Sequence, residues 1–119
     1  MTRTSILGEI ARERMAQRVK HGDQSHLPDG TGPRTRVLEP VNEVSDAAVL
    51  LARWAKDATD TAAKNGTVTF TDILLEEVFE ALAESDPARL RAELIQVAAV
   101  TVQWIEALDA RALAAAGAS

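Results

Sequence analysis

Two stretches of the sequence decide the fold: LLEEVFEALAE, residues 74–84, and RAELIQVAAV, residues 91–100. In both, apolar residues recur every three or four positions, which predicts an α-helix. Between them, Asp86 is a good N-cap and Pro87 is favoured as a first helical residue, so a new helix starts there. We therefore expect two helices that fold back on each other as an antiparallel hairpin.

The acidic residues of this hairpin form a second pattern. Residues three apart share a helix face, so Glu77 pairs with Glu80, and Glu93 pairs with Gln96. In an antiparallel hairpin the two pairs converge. Carboxylates amid apolar neighbours repel one another and are costly to desolvate, and a hard cation such as Mg²⁺ relieves that repulsion through oxygen ligands. The pattern predicts a Mg²⁺ site, and the alternative is a solvated acidic helix face.

The composition indicates one helical domain, residues 1–119. Apolar residues make up 46% of the chain, and aromatic residues only 3%. Much of the apolar fraction is alanine, which favours helices and buries little area, so we expect closely packed helices and further burial by oligomerisation. The net charge of −5 argues against broad binding to nucleic acid or to anionic membranes, which attract basic surfaces.

The sequence also restricts the chemistry and the compartment. It contains no cysteine, which excludes disulfides and thiolate zinc sites. No stretch approaches the roughly 20 apolar residues that span a bilayer, and the N-terminal residues lack a secretory signal pattern. There is no serine nucleophile elbow, P-loop or dinucleotide-binding glycine motif. We expect a cytoplasmic protein without nucleophilic catalysis.

Upstream of the hairpin, the periodicity predicts two more helices. The first runs from about Thr4 to Lys20, with Thr4 or Ser5 as its cap. A long loop rich in glycine and proline follows at residues 21–40, and loops of this length are often functional. The second helix spans about 41–64 and ends at Asn65-Gly66 through a left-handed cap.

Two threonines compete to cap the third helix, which we expect over 72–84. Thr69 forms a capping box with Asp72, whereas Thr71 as cap would place Phe70 and Leu75 in a hydrophobic staple. Residues 67–70 form the entry to this helix rather than a strand, since they have no evident strand partner.

The fourth helix should run to about Leu113, with residues 114–119 as a frayed tail. Its middle, residues 94–108, is apolar over most of its circumference. A helix of that kind is buried on more than one side, which in a small domain indicates a subunit interface. We expect an all-α chain of four helices inside a homodimer or homotetramer.

The acidic pattern resembles the MazG-like, all-α nucleoside triphosphate pyrophosphatases, whose signature is ExxE, a spacer of about a dozen or more residues, then ExxD. Glu77-x-x-Glu80 matches the first half, and Glu93-x-x-Gln96 matches the second with Gln in place of Asp. Residues 9–30 also look like the N-terminal segment of small actinobacterial and phage MazG-like proteins. In those an arginine-rich helix precedes Trp-Gly-x-Gln; this chain has His21-Gly22-Asp23-Gln24, without the Trp.

The resemblance implies a four-helix MazG-like bundle and hydrolysis of a nucleoside triphosphate to the monophosphate and pyrophosphate. It implies Mg²⁺, with Mn²⁺ as a substitute, held by Glu77, Glu80 and Glu93, with Gln96 at the fourth position. The metal would polarise the α–β linkage, and an activated water would attack phosphorus. Glu76, beside the first pair, is our candidate for orienting that water.

Because Gln96 carries an amide where the family has a carboxylate, the sequence leaves open whether the protein hydrolyses its nucleotide. An amide oxygen ligates Mg²⁺ without a charge, so Gln96 should weaken metal binding compared with Asp. The protein is then a slow enzyme, a differently tuned one, or a binding protein that sequesters a nucleotide without turnover. Gln96 in an intersubunit hydrogen bond is an equal alternative, and Gln103, seven residues on, is assigned a structural role.

Candidate substrate contacts lie on the first two helices. Lys20 and Gln24 are the expected substrate contacts. Arg53, Trp54 and Lys56 form a second candidate cluster, in which Trp54 would stack on a base; the alternative is that Trp54 is a core or interface residue. Most other arginines, and His21 and His26, we assign to solvated surface, and Trp104 to packing.

Overall fold

The computed structural model describes residues 2–32 and 47–118. These residues form four helices and no strand: α1 at Arg3–His21, α2 at Ala47–Lys64, α3 at Phe70–Ala83 and α4 at Pro87–Ala118. The all-α prediction is confirmed. The predicted start of the second helix near residue 41 and the rest of the loop from residue 33 lie outside the described residues.

The first helix begins one residue earlier than predicted. The cap is Thr2, whose hydroxyl accepts a hydrogen bond from the Ser5 amide at 3.2 Å. The prediction of Thr4 or Ser5 as cap is therefore wrong, because the Thr2 hydroxyl already satisfies a free amide of the first turn. At the other end, Gly22 has a positive φ of 70°, and its amide bonds to the Arg18 carbonyl.

The second helix ends as the Asn65-Gly66 pair predicts. Gly66 has a φ of 71°, its amide donates to the Ala63 carbonyl, and the Thr67 amide donates to the Ala62 carbonyl at 2.8 Å. These two bonds form a Schellman motif, which satisfies carbonyls that the helix end leaves unpaired. The reversal that follows lets α3 pack against α2.

Thr69 caps the third helix, so the alternative cap Thr71 is wrong. The Thr69 hydroxyl accepts from the Asp72 amide at 3.3 Å, and the Asp72 carboxylate accepts from the Thr69 amide at 3.0 Å. This reciprocal capping box starts the helix at Phe70, two residues before the predicted start.

The fourth helix starts as predicted and ends later. The Asp86 carboxylate accepts from the Arg89 amide at 2.9 Å, with Pro87 as the first helical residue. The predicted end near Leu113 is wrong, since α4 continues to Ala118, through the segment predicted as a frayed tail. The residues involved are mostly alanine, the strongest helix former.

The chain divides into two compact units. The first comprises Met1–Asp29 and Val102–Ser119, and in it the Arg3 guanidinium pairs with the Glu106 carboxylate at 3.3 Å. The second comprises Gly30–Thr101. The prediction of a single domain stays a prediction.

Hydrogen bonds and small side chains hold the second unit together. The Thr59 hydroxyl on α2 lies 2.9 Å from the Ala55 carbonyl oxygen and 3.0 Å from that of Asp72, so it links α2 to the first turn of α3. The Gly32 amide donates to the Leu82 carbonyl at 3.0 Å. The buried apolar residues of this unit are Ala47, Ala48, Ala81, Leu90 and Val100.

Much apolar surface is left exposed. Leu94 is 51% exposed and Ile95 is 56% exposed, although both lie in the helix predicted to be buried on more than one side. Within residues 2–32 and 47–118, none of the helices has the length and hydropathy needed to cross a membrane.

Candidate metal centre

Three glutamates meet between α3 and α4. Glu77 and Glu80 on α3 and Glu93 on α4 each place a carboxylate oxygen within 4.8 Å of the other two. A continuous helix would separate Glu80 from Glu93 by roughly 20 Å. The meeting therefore requires α4 to fold back along α3 at the short connection after Ala83, as the predicted hairpin does.

Burial and mutual repulsion both act on this triad. All three side chains are half-buried. Burial raises the pKa of Glu77, and the charges of Glu93 and Glu76 raise it further. Burial likewise raises the pKa of Glu80, followed by the charges of Glu77, Glu93 and Glu76. Because each shift disfavours the ionised form, the triad has surplus negative charge that a cation would neutralise.

Lys56 supplies a positive charge beside the triad. Its ammonium pairs with Asp60 at 3.2 Å, one turn further along α2. The hydrogen bond to Asp60 and that carboxylate's charge raise the pKa of Lys56, and the charges of Glu76 and Glu80 add to the effect. Lys56, predicted as a substrate contact, thus lies within electrostatic reach of the carboxylates. The sequence reasoning missed Asp60, although its spacing of four from Lys56 is the signal for such a pair.

Glu76 is half-buried and interacts electrostatically with the triad and with Lys56. It is not one of the three convergent carboxylates. Its predicted role in orienting a water stays a prediction.

Gln96 and Trp54 are both exposed. Gln96 lies one turn beyond Glu93 on α4 with its side chain accessible, so its role as a metal ligand and its alternative role in an intersubunit hydrogen bond both stay predictions. Trp54 is 63% exposed, which excludes a core role and leaves base stacking or an interface. Trp54 and Lys56 are two residues apart on α2 and so point in different directions. Their assignment as substrate contacts stays a prediction.

Lys20 and Gln24 belong to the first unit, at the C-terminal end of α1. Both are exposed and line shallow surface hollows, Lys20 beside Glu13 and Gln24 beside Arg18. Their role in substrate binding stays a prediction. His21, assigned by sequence to the loop, is the last residue of α1. It is exposed, as are His26 and the arginines of that helix.

The donor set of the triad suits a hard divalent cation. Three carboxylates offer oxygen ligands only, which fits Mg²⁺ or Mn²⁺ better than softer metals. Mg²⁺ retains several waters and uses few protein carboxylates, leaving coordination sites for phosphate oxygens. The arrangement can hold a cation next to an anionic ligand, with Lys56 as a second positive group.

The chain was compared with protein-family models, curated proteins and solved structures, and none of them matches it.

Proposed function

We propose that this chain is a Mg²⁺-dependent nucleoside triphosphate pyrophosphohydrolase with a MazG-like helical bundle. The observation that carries the proposal is the convergence of Glu77, Glu80 and Glu93 within 4.8 Å. These are the positions at which the sequence pattern resembles the acidic signature of that family. The local geometry of the triad suits Mg²⁺, and the motif resembles that of enzymes that use Mg²⁺ to hydrolyse nucleoside triphosphates.

Glu77, Glu80 and Glu93 would hold the cation, and the exposed Gln96 amide oxygen would reach it from the next turn of α4. The bound ion would offset the charge of the triphosphate and polarise its α–β linkage. The raised pKa values of Glu77 and Glu80 support this assignment, since repulsion among unneutralised ligands is what a cation relieves.

Glu76 and Lys56 take the remaining roles. Glu76 accepts a proton from a water as its oxygen bonds to the α-phosphorus. The bond from that phosphorus to the bridging oxygen breaks, and its electron pair leaves with pyrophosphate; the nucleoside monophosphate remains. Lys56, exposed and flexible, exchanges its contact with Asp60 for a phosphate oxygen.

The test is pyrophosphate release from a panel of canonical and modified nucleoside triphosphates, with Mg²⁺ and with Mn²⁺. The wild type should release pyrophosphate and monophosphate in equal amounts. Glu80→Ala should abolish both, because it removes a ligand from the triad.

Asp57→Ala is the matched control, since Asp57 is an exposed carboxylate on α2 outside the triad. It should retain wild-type turnover. Turnover that survives Glu80→Ala would refute the assignment of the site. If no triphosphate yields pyrophosphate with either metal, the enzymatic proposal is wrong.

A second candidate function is sequestration of a nucleotide without hydrolysis. Gln96 favours it, because a neutral amide in place of a carboxylate weakens the metal site. This function predicts tight, Mg²⁺-dependent binding in calorimetry, with the ligand recovered intact after prolonged incubation. A third possibility, that the acids are only surface groups, predicts no thermal stabilisation by Mg²⁺ together with nucleotide.

We also propose that the protein acts in the cytoplasm, where nucleoside triphosphates are abundant, as a homodimer or homotetramer. Self-association is supported by the exposed Leu94 and Ile95, since a helix apolar on both sides gains stability by covering the second side.

A further inference from the structure

A polar hollow lies at the C-terminal end of α1, within the first unit of the chain. We call it the α1 hollow. Its volume is about 350 Å³, which falls within the size range of sites for small molecules. One side is formed by Arg14, Gln17 and Arg18 on the last turns of the helix, and the other by residues 22–25 of the following loop. All of these residues are exposed, so a ligand can enter directly from solvent.

Local hydrogen bonds position the loop side of the α1 hollow. Gly22 has a φ of 70°, which turns the chain as it leaves the helix, and its amide donates to the Arg18 carbonyl at 2.8 Å. The Asp23 carboxylate accepts from the Ser25 amide at 2.9 Å. Hydrogen bonds from the amide and the side chain of Ser25 hold the pKa of Asp23 below its usual value. Asp23 is therefore ionised at neutral pH and acts only as a hydrogen-bond acceptor.

The helix side of the α1 hollow supplies hydrogen-bond donors. The Arg14 guanidinium donates to the Gln17 side-chain oxygen at 2.8 Å, which orients Arg14 and leaves further N–H groups for a ligand. The Arg18 guanidinium makes no ion pair or hydrogen bond with the described residues. A ligand thus meets cationic donors on the helix and an anionic acceptor on the loop.

This charge pattern disfavours simple ions. An anion such as phosphate would be repelled by Asp23 and by the negative C-terminal end of the helix dipole. A metal cation would be repelled by Arg14 and Arg18. The pattern favours an uncharged ligand that has two hydrogen-bond acceptors on one edge and two donors on another.

We infer that the α1 hollow binds a guanine base. The adjacent O6 and N7 of guanine accept paired N–H groups of an arginine, a common specific contact to this base, and Arg18 has these groups free. The adjacent N1–H and N2–H groups of guanine donate to the two oxygens of Asp23. Each carboxylate oxygen has two acceptor sites, so Asp23 keeps its bond from Ser25.

Other purine bases mismatch one side of the α1 hollow or both. Adenine has an amino group where guanine has O6, and an acceptor nitrogen where guanine has N1–H, so it mismatches both Arg18 and Asp23. Hypoxanthine lacks the N2 amino group and loses one bond to Asp23. Xanthine has a carbonyl oxygen at that position, which the carboxylate repels. Asp23 therefore determines the specificity for guanine.

This inference goes beyond the proposed function and does not depend on it, because the base is bound without a metal. The experiment is an NMR titration of the full chain in EDTA with the monophosphates of guanosine, adenosine, inosine and xanthosine. Guanosine monophosphate should shift the amide signals of residues 22–25 in a saturable way. Adenosine monophosphate should bind at least about tenfold more weakly, since a bidentate contact discriminates between bases to that extent. All four ligands carry the same phosphate, so the comparison reports on the base.

Substitutions test the two sides of the α1 hollow. In Asp23→Asn the side-chain amide can donate to the C2 carbonyl oxygen of xanthine, so this variant should lose guanosine monophosphate and gain xanthosine monophosphate. Asp29→Asn is the matched control, since Asp29 is an exposed loop carboxylate of the same unit outside the α1 hollow. Arg18→Met should weaken guanosine monophosphate by about tenfold or more. Arg12→Met, at an exposed position outside the α1 hollow, should bind it as wild type does.

The contrary outcomes are distinct. Absence of a saturable shift with guanosine monophosphate overturns the site. Equal affinity for all four monophosphates shows a contact with phosphate alone and overturns base recognition. Competition by glycine, a small zwitterion, would assign the α1 hollow to amino acids instead. An Asp23→Asn variant that still prefers guanine overturns the role of Asp23. None of these results bears on pyrophosphate release with Mg²⁺, and a failure of hydrolysis leaves the guanine site standing.

Discussion

Replacing Glu80 with Gln should change stability in opposite directions with and without Mg²⁺. Glu80 lies within 4.8 Å of two other carboxylates, and two unit charges at that distance repel by about 0.9 kcal/mol in the dielectric of water. The substitution removes two such repulsions and also the weaker attraction of Lys56. Allowing for screening at a half-exposed site, we expect a net gain of about 1 kcal/mol in the absence of metal.

The assay is urea unfolding followed by circular dichroism, once in EDTA and once in Mg²⁺, with melting temperatures in parallel. In EDTA, Glu80→Gln should melt roughly 4 °C above wild type. In saturating Mg²⁺ the order should reverse, because only the wild type gains the full binding energy of the ion. Glu9→Gln, at an exposed position on α1, controls for the general loss of a negative charge.

The pH dependence of stability in EDTA tests whether repulsion between carboxylates causes the difference between Glu80→Gln and wild type. The folded-state pKa values of Glu77 and Glu80 are raised, so the folded protein binds these protons more tightly than the unfolded chain does. Their contribution to stability is therefore present below the ordinary glutamate pKa and is lost as pH rises through the raised values. The advantage of Glu80→Gln in EDTA should disappear on acidification. A variant less stable than wild type in EDTA at neutral pH would refute the repulsion argument.

Three further predictions concern single residues. Gln96→Asp should strengthen Mg²⁺ binding in titration calorimetry, because it adds a charged ligand; equal or weaker affinity contradicts the role of Gln96. Lys56→Met should weaken triphosphate binding while leaving Mg²⁺ binding equal or stronger, since it removes a cation from the site. A parallel loss of both affinities would indicate a structural role for Lys56. Thr69→Ala should lower the free energy of unfolding by about 1 kcal/mol through loss of the capping box, measured in urea. An unchanged unfolding midpoint would show that Asp72 alone starts α3.

Local signals in the sequence predicted the helices well. Asp86-Pro87 and Asn65-Gly66 mark helix ends by their own backbone preferences, so the structure has these ends where the sequence put them. The start of α3 depended on a choice between Thr69 and Thr71, which only the reciprocal bond to Asp72 decides. The end of α4 was underestimated, because the alanine-rich segment lacks a stop signal before Gly117.

The convergence of the three glutamates could be predicted from the sequence, but the positions and exposure of the neighbouring side chains could not. Spacing on two helices is enough to bring Glu77, Glu80 and Glu93 together once the hairpin is assumed. The position of Lys56 depends on how α2 packs against α3, which a periodic pattern does not define. The exposure of Gln96 and Trp54 could not be read from sequence either, since apolar neighbours along the chain do not establish burial in space.

The charges around the triad suggest why an amide stands at position 96. Glu76 adds a fourth carboxylate beside the triad, and among the described residues Lys56, which Asp60 already partly neutralises, is the positive group that acts on Glu80. Under the proposed function, a bound Mg²⁺ would leave these described groups net negative, so a triphosphate would still meet repulsion. A fifth carboxylate at position 96 would increase that repulsion while improving the metal site. We therefore expect Gln96→Asp to tighten Mg²⁺ alone but to weaken the triphosphate at saturating Mg²⁺. Under the proposed function, we expect metal and nucleotide to favour each other's binding, because the triphosphate would carry Mg²⁺ into a site that holds the free ion only weakly.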